Sequence, residues 1–432
     1  MTGILLFLYD LLGSLASLCL LPFIPLQRSG PLADRLGLFR PLERAGTPSL
    51  WVHALSVGEV LSAVPLVLAL RGRYSGIPLV FTATTAQGLS MARRELGGKV
   101  DRILRMPLDT CWSMRRLLDH IRPTLFIVVE TDLWPGLLNR LAKRRIRAVL
   151  VNGRVSPRTY RTYRRFRFLV RNLLFGGLDR CLVQTEVDRE RLLRIGLSPE
   201  KVVTAGNIKF DREWVSMTGE EADRLLKTLN LTPQDTLIVA GSIHPGEEEV
   251  LLNVFLRLRP LFPQTRLILA PRRIEDAESV HRSAAAKGLR PLLRTDLPGT
   301  SEHHDVLVLN TLGELGRIYG LGTITFVGGS LVPLGGHNVL EPAAFGKPVL
   351  FGPHMHNFQL MSQLLVETGG GRMVGDEEGL FSAMRQLLGD PHQRGSMGRS
   401  AREFVEGNRG ALARVLDQID ACLKANPRDA LA

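Results

Sequence analysis

The sequence is poor in the devices that usually announce a site. It has four cysteines, Cys19, Cys111, Cys181 and Cys422, far apart and with no CxxC or Cys/His cluster among them. That spacing argues against a disulfide framework and a structural zinc site, and it fits a reducing cytosol. No GxGxxG and no GxxxxGKS/T occurs, so neither a dinucleotide fingerprint nor an NTPase phosphate loop is present. D-x-D, a carboxylate pair that commonly holds a divalent ion on a diphosphate, is also absent. Nothing in the sequence asks for a metal or another cofactor. Met1 to Tyr9 contains no Lys or Arg, which a secretory signal needs before its apolar run, and Leu18 stands where a lipoprotein signal wants a small residue before Cys19. Internal repeats and low-complexity tracts are missing as well.

What is there is ordinary globular composition, 45% apolar and 22% charged over 432 residues. That length predicts two domains with real cores. Lys plus Arg number 55 against 42 for Asp plus Glu, a net charge of +13, which suggests a polyanionic partner: nucleic acid, a phosphorylated substrate or an anionic membrane. The stretch Ile4 to Leu26 is almost wholly apolar and long enough to cross a hydrocarbon core, for which ~20 helical residues suffice. Asp10 and Pro22 suit instead a helix lying on the bilayer. Positive charge follows at Arg28, Arg35 and Arg40, which places the bulk of the chain in the cytoplasm. The expected segments are a membrane anchor over 1–27, a first domain over 28–206, a connection over 207–222 and a second domain over 223–432.

After the anchor, apolar runs alternate with helical patterns. Ser49 to Leu55, Pro78 to Thr84, Leu125 to Val129, Ala148 to Asn152 and Arg180 to Gln184 read as strands. The rhythm restarts at Thr236 to Ala240, then Thr265 to Ala270, Asp305 to Leu309, Ile324 to Val327 and Pro348 to Phe351. Continuous apolar strands alternating with helices predict α/β architecture with parallel sheets covered on both faces. The economical arrangement is two Rossmann-like, doubly wound domains facing a cleft, with ligands beyond the carboxyl ends of the strands.

Five motifs sit at those strand ends. In Trp51-Val52-His53-Ala54-Leu55-Ser56-Val57-Gly58-Glu59, the final carboxylate can take a proton from a hydroxyl, or can simply complement a helix macrodipole. Glu130-Thr131-Asp132-Leu133-Trp134-Pro135 offers two carboxylates and a Trp that could orient a sugar, or a helix N-cap at Thr131 or Asp132. Arg154 to Arg171 holds seven arginines and no acid, with Tyr160, Tyr163, Phe166 and Phe168 interleaved; Lys143, Arg144, Arg145 and Arg147 precede it. Such a segment, including Arg154, Arg158, Arg161, Arg164 and Arg165, suits lipid phosphate and an anionic bilayer; nucleic acid and a merely solvated face are its rivals.

Gly241-Ser242-Ile243-His244-Pro245-Gly246-Glu247 is a turn opening a helix, whose free N–H groups can face a phosphate. The richest block runs from Phe326 through Gly328-Gly329-Ser330 to Gly335-Gly336-His337-Asn338-Val339-Leu340-Glu341-Pro342. Asn338 and Glu341 share a helix face there, and a Glu can accept both hydroxyls of a ribose. Pro271-Arg272-Arg273 supplies charge for a leaving phosphate, and in the absence of D-x-D a departing group would rest on cations and helix N-termini.

Together the blocks WVHALSVGEV, ETDLWP, NGRVSPRTYRTYRR, GNIKFD, AGSIHPGEEE and FVGGSLVPLGGHNVLEPAAFGKPVLFGPHMHNF resemble the Kdo (3-deoxy-D-manno-octulosonic acid) transferase family of lipid A core biosynthesis. They run in order from Trp51 to Phe358, with small departures at Gly153 and Arg273. The resemblance implies a GT-B glycosyltransferase fold, a CMP-Kdo donor, a phosphorylated lipid A precursor as acceptor and an inverting, metal-independent transfer. It implies a place on the inner membrane with the catalytic domains on its cytoplasmic face. Glu59 matches the general base and Glu130 a second essential carboxylate. Arg272, Asn338 and Glu341 match residues that hold CMP, with Ser242, Gly336 and the Gly328, Gly329, Ser330 turn beside them. Lys209 in GNIKFD is a candidate for the donor carboxylate or phosphate. A UDP-dependent enzyme of the same fold and a basic nucleic-acid-binding protein are the competing readings; the anchor and the lack of any nucleic-acid module count against the second.

Overall fold

The computed structural model describes residues 48–130, 132–211, 217–297 and 303–424, together with 3, 6, 9–11, 13 and 34–37. Most of the expected anchor, with Cys19, therefore lies outside the described residues. Among the described residues no helix is long and apolar enough to cross a membrane.

The chain forms two compact units, one made of residues up to Arg212 plus the chain from Asn408, the other of Glu213–Gly407. The first crossing falls inside the expected 207–222 connection. The second departs from the expectation that 223–432 is one domain. Helix Ala411–Lys424 buries Ala411, Val415, Ile419 and Cys422 in the core of the first unit. Asp211 fastens its start by accepting the amides of Gly410 and Leu412 (2.8 Å for the latter).

The first unit carries a seven-stranded parallel sheet of β1 (Ser49–Ala54), β2 (Leu79–Ala83), β3 (Arg102–Arg105), β4 (Pro123–Val129), β5 (Arg147–Gly153), β6 (Arg180–Val183) and β7 (Val202–Thr204). Its order is β3-β2-β1-β4-β5-β6-β7, so the chain reverses direction of growth between β1 and β4. Every residue of β1 and β2 is buried. Alternate side chains serve two cores: Leu50, Val52, Phe81 and Ile127 on one face, Trp51, Val80, Phe126 and Val128 on the other. This double burial is why the strands are near-continuous apolar runs. The intervening helices include α1 (Val57–Arg73), α2 (Ala86–Leu96), α3 (Cys111–Ile121), α4 (Pro135–Lys143) and α5 (Pro157–Arg165). Thr85, Thr110 and Ser156 cap α2, α3 and α5 through their side-chain oxygens.

The second unit repeats the plan with β8 (Thr236–Ile243), β9 (Thr265–Pro271), β10 (Pro291–Leu293), β11 (Val306–Val308), β12 (Ile324–Val327), β13 (Val349–Phe351) and β14 (Gly371–Met373). All pairs are parallel, in the order β10-β11-β9-β8-β12-β13-β14, and the switch lies between β8 and β12. The four strands that the apolar runs do not reveal, β3, β7, β10 and β14, are the four sheet edges. Edge strands are short and covered on fewer sides, so their sequences carry little of the buried-strand pattern.

Candidate active site

In the first unit, the carboxylates cluster at the carboxyl ends of β1 and β4, beside the switch point. Glu59 lies in the first turn of α1 and is only 7% exposed. It reaches back to accept the amide of Leu55, its one hydrogen bond among the described residues. Burial, augmented by the charges of Glu130 and Asp132, pushes its pKa up to about 8; the Leu55 amide and Lys209 oppose the rise. A carboxyl group so placed releases its proton near neutral pH and is a far stronger base than an exposed glutamate.

Glu130 follows β4 directly, with φ of 65°, a left-handed conformation that few non-glycine residues adopt. Its Oε1 lies 3.1 Å from Lys209 Nζ and 3.0 Å from Ser62 Oγ. Lys209 is thus partnered by a protein carboxylate. Asn152, also left-handed at φ 58°, accepts the Ile208 amide through Oδ1 (3.2 Å) and holds the Lys209 segment against β5.

The neighbouring polar group is one that motif reading passes over. His53 is fully buried on β1, and the β1–β2 register sets it opposite Thr82. Its Nδ1 is 2.8 Å from Thr82 Oγ1, and its Nε2 is 2.8 Å from Asp132 Oδ2. Trp51 Nε1 donates to the same Thr82 hydroxyl (2.8 Å), and Thr84 donates to Asp132 (3.0 Å). An ionised Asp132 only accepts, so Nε2 carries a proton and Thr82 can donate to Nδ1. Although burial works against it, the His53 contact and the Thr84 and Trp134 groups hold the Asp132 carboxyl below its ordinary range. Asp132 therefore does not cap α4, whose N-cap is Trp134 without a side-chain bond. Thr131 lies outside the described residues. The sequence signal was present: a His inside an all-apolar strand has to find partners.

The arginine-rich segment begins directly after β5 and includes all of α5, which buries no residue. Arg154, Arg158, Arg161, Arg164 and Arg165 are all exposed and make no ion pair among the described residues. Tyr160 and Tyr163 pack on the core, whereas Phe166 and Phe168 are 49% and 45% exposed. This is a cationic face with aromatic rings standing out of it.

In the second unit, Ser242 is the next-to-last residue of β8, at φ 56° and half-buried. Gly241 before it touches the buried Tyr319 hydroxyl so closely that a Cβ would collide with it. The following turn differs from the phosphate cradle expected of it. Glu247, fully buried, accepts the amides of Gly329 (2.7 Å), Ser330 (2.9 Å), Leu331 (2.9 Å) and His244 (2.9 Å). Gly328 donates to Gly241 O (2.9 Å). Ser330 is fully buried; its hydroxyl donates to Val327 O and accepts the Gly352 amide (2.8 Å). The N–H groups of Gly328, Gly329 and Ser330 are thus committed inside the protein.

The groups left to face a ligand lie alongside. Arg272, at the end of β9, is exposed and unpaired among the described residues. His244 and His337 stack with ring planes 3° apart and share an Nε2···Nε2 contact of 2.9 Å. Burial, then Arg272 and His244, push the His337 pKa down to about 4; burial likewise lowers His244, opposed by Glu247 and assisted by Arg272. Both imidazoles are neutral at pH 7, one donating to the other. Gly336, at φ 70°, lets the chain pass against Met355 and donates to Gly329 O (2.7 Å). Asn338 precedes the short helix Leu340–Ala344 and so shares no helix face with Glu341, but its Nδ2 lies 3.4 Å from Glu341 Oε1, which brings the pair together.

Two open, wholly parallel seven-stranded sheets, each with its polar residues at the strand ends by its switch point, are the architecture of GT-B glycosyltransferases. The fold matches that of a putative UDP-N-acetylglucosamine 2-epimerase from Listeria monocytogenes, at 17% identity and TM-score 0.57 over 89% of this chain and 98% of that one. A glycosyltransferase from Rickettsia africae gives 12% identity and TM-score 0.52 over 88% and 100%. The sequence is more specific. Residues 31–212 match the family model for 3-deoxy-D-manno-octulosonic-acid transferase (kdotransferase). A 3-deoxy-D-manno-octulosonic acid transferase of Haemophilus influenzae is 33% identical over 398 residues, 91% of this chain and 92% of that one. The chain belongs to the 3-deoxy-D-manno-octulosonic acid (Kdo) transferase family, and it is a glycosyltransferase.

Proposed function

We propose that the chain moves Kdo from CMP-Kdo to a phosphorylated lipid A precursor, lipid IVA, in lipopolysaccharide core biosynthesis, with inversion and without a metal. The observation that carries this reading is Glu59: a buried carboxyl group at the switch point, lifted to about 8 and held by a single amide. As general base it takes the proton of an acceptor hydroxyl while that oxygen attacks the anomeric carbon. The bond from that carbon to the CMP phosphate breaks, and the phosphate leaves with the electron pair. Glu130, steadied by Lys209 and Ser62, keeps negative charge near the base and orients the acceptor. In the second unit Arg272 receives the phosphate charge, and Asn338 and Glu341 hold the ribose. Single-step displacement by an activated hydroxyl inverts the configuration. The lack of D-x-D supports a leaving group stabilised by cations.

The same reading places the protein on the inner membrane with both units on the cytoplasmic side. Tyr9 donates to Asp109 (3.0 Å) and Asp10 pairs with Arg140, which ties the start of the apolar run to the first unit. From residue 14 to 26 only 13 residues are left, fewer than the ~20 that cross a bilayer. This favours an anchor lying in the interface, seconded by the exposed arginines and Phe166 and Phe168 of the α5 region.

The test follows CMP release from CMP-Kdo by detergent-solubilised protein, with and without tetraacylated, bisphosphorylated acceptor, and weighs the lipid product. Acceptor-dependent CMP release with a mass gain of whole Kdo units is expected. A folded, lipid-binding protein that releases no CMP but turns over a UDP-sugar would overturn the donor assignment.

A further inference from the structure

One basic cluster in the first unit has no part in the chemistry above. At the amino-terminal ends of β4 and β5, where α3 and α4 finish, a cavity of about 580 Å³ is lined by Asp119, Arg122, Pro123, Lys143, Arg144 and Arg145, among others. Four cations therefore face one carboxylate. That carboxylate is already engaged, since Asp119 pairs with Arg144 at 2.7 Å and with Arg115 at 3.8 Å. Arg122, Lys143 and Arg145 are exposed and have no carboxylate partner among the described residues. The cavity lies about 20 Å from Glu130, the length of the seven-residue strand β4. It is therefore separate from the carboxylate site at the opposite strand end.

Cations near helix carboxyl ends often do no more than complement the macrodipole, and Lys143 and Arg144 could be explained in that way. Arg122 and Arg145 could not. Both have left-handed backbones, with φ of 43° and 57°. Arg122 is the C-cap of α3. Glycine or asparagine is favoured at such positions, and a Cβ there is penalised at least as much as an exposed charge at a helix end is rewarded. Two of the six left-handed non-glycine residues described are thus arginines on the rim of one cavity.

We propose that this cavity is an anion site that binds a phosphate group, separate from donor and acceptor. The guanidiniums of Arg122 and Arg145 and the ammonium of Lys143 match the several oxygens and multiple charge of a phosphate better than a single carboxylate. The phosphate is either a free one or the headgroup of an anionic phospholipid.

The test uses the full chain and the variant Arg122→Gly/Lys143→Gln/Arg145→Gly, in which glycine suits the two left-handed positions. Inorganic pyrophosphate, titrated against the melting temperature, probes the free ligand. Flotation with phosphatidylcholine vesicles, with and without phosphatidylglycerol, probes the headgroup. Wild type is expected to gain about 2 °C at saturating pyrophosphate and the variant none. For a headgroup, the extra binding that phosphatidylglycerol confers falls about 10²-fold in the variant, near the worth of three surface cations. CMP release from CMP-Kdo with detergent-dispersed acceptor stays unchanged. Should the glycine variant melt early, Arg122→Asn/Arg145→Asn replaces it, since asparagine also tolerates the left-handed region. A variant that keeps both the pyrophosphate shift and the phosphatidylglycerol dependence overturns the proposal.

Discussion

Two buried glutamates occupy corresponding places in the two units and have opposite characters. Each stands in the first turn of the helix that follows the first strand of its sheet: Glu59 after β1, Glu247 after β8. Glu247 accepts four backbone amides and knits the Gly328 turn to the helix. Glu59 accepts one, and two other carboxylates act on it. Burial alone therefore does not make a carboxylate reactive. The number of donors separates the two: four amides tie the Glu247 carboxylate to the backbone, while Glu59, with one, is pushed up by burial.

The contrast is most sharply broken by removing each charge in turn. Glu59→Gln is expected to lower kcat by about 10²–10⁴-fold, the usual worth of a general base, with the fold intact. CMP-release kinetics beside a melting curve check it, and near-normal turnover would end the assignment of Glu59 as base. Glu247→Gln should cost about 2–4 kcal/mol in stability, because an amide cannot accept all four N–H groups and sets its own NH2 against them. Chemical denaturation measures this. Equal stability to wild type would show that the four contacts are dispensable.

A third prediction follows from the sign of the Glu59 shift. Its folded pKa, about 8, lies above the unfolded value, ~4.3, so the folded state holds the extra proton between them. Glu59 therefore withdraws stability as pH rises from about 4 to about 8, with no further change above. Glu59→Gln should flatten that slope and be more stable than wild type at alkaline pH, where Glu247→Gln is less stable. The activity of wild type should climb with pH to a half-maximum near 8. Neighbours give smaller effects. Asp132→Asn should move this limb down and Lys209→Met should move it up, as their charges respectively raise and lower the Glu59 pKa. The smallest effect is at Ser330, whose change to Ala should cost about 1 kcal/mol through its two backbone contacts, with little change in donor KM.

Much of this could be read along the chain. Strands buried on both faces, such as Leu79–Ala83 and Pro123–Val129, must be apolar throughout, and a carboxylate directly after one stands out. Glu130 is legible for that reason, and Glu59 because it opens the helix that follows the first such strand. Glu247 is not, because it is followed by Glu248 and Glu249, and nothing local says which of three acids turns inward. The glycines of 328–330 promise free amides, but their partner lies 82 residues away.

The alternation of strand and helix, the parallel sheets and the family blocks were set by the sequence itself, since local propensity and double-faced burial act over a few residues. Tertiary structure alone decided the rest. The amphipathic helix Ala411–Lys424 announces an apolar stripe, but only packing chooses the core of the first unit for it. Likewise only the fold decides that one buried glutamate meets four amides and the other meets one, because hydrogen-bond partners distant in the chain have no trace in local pattern.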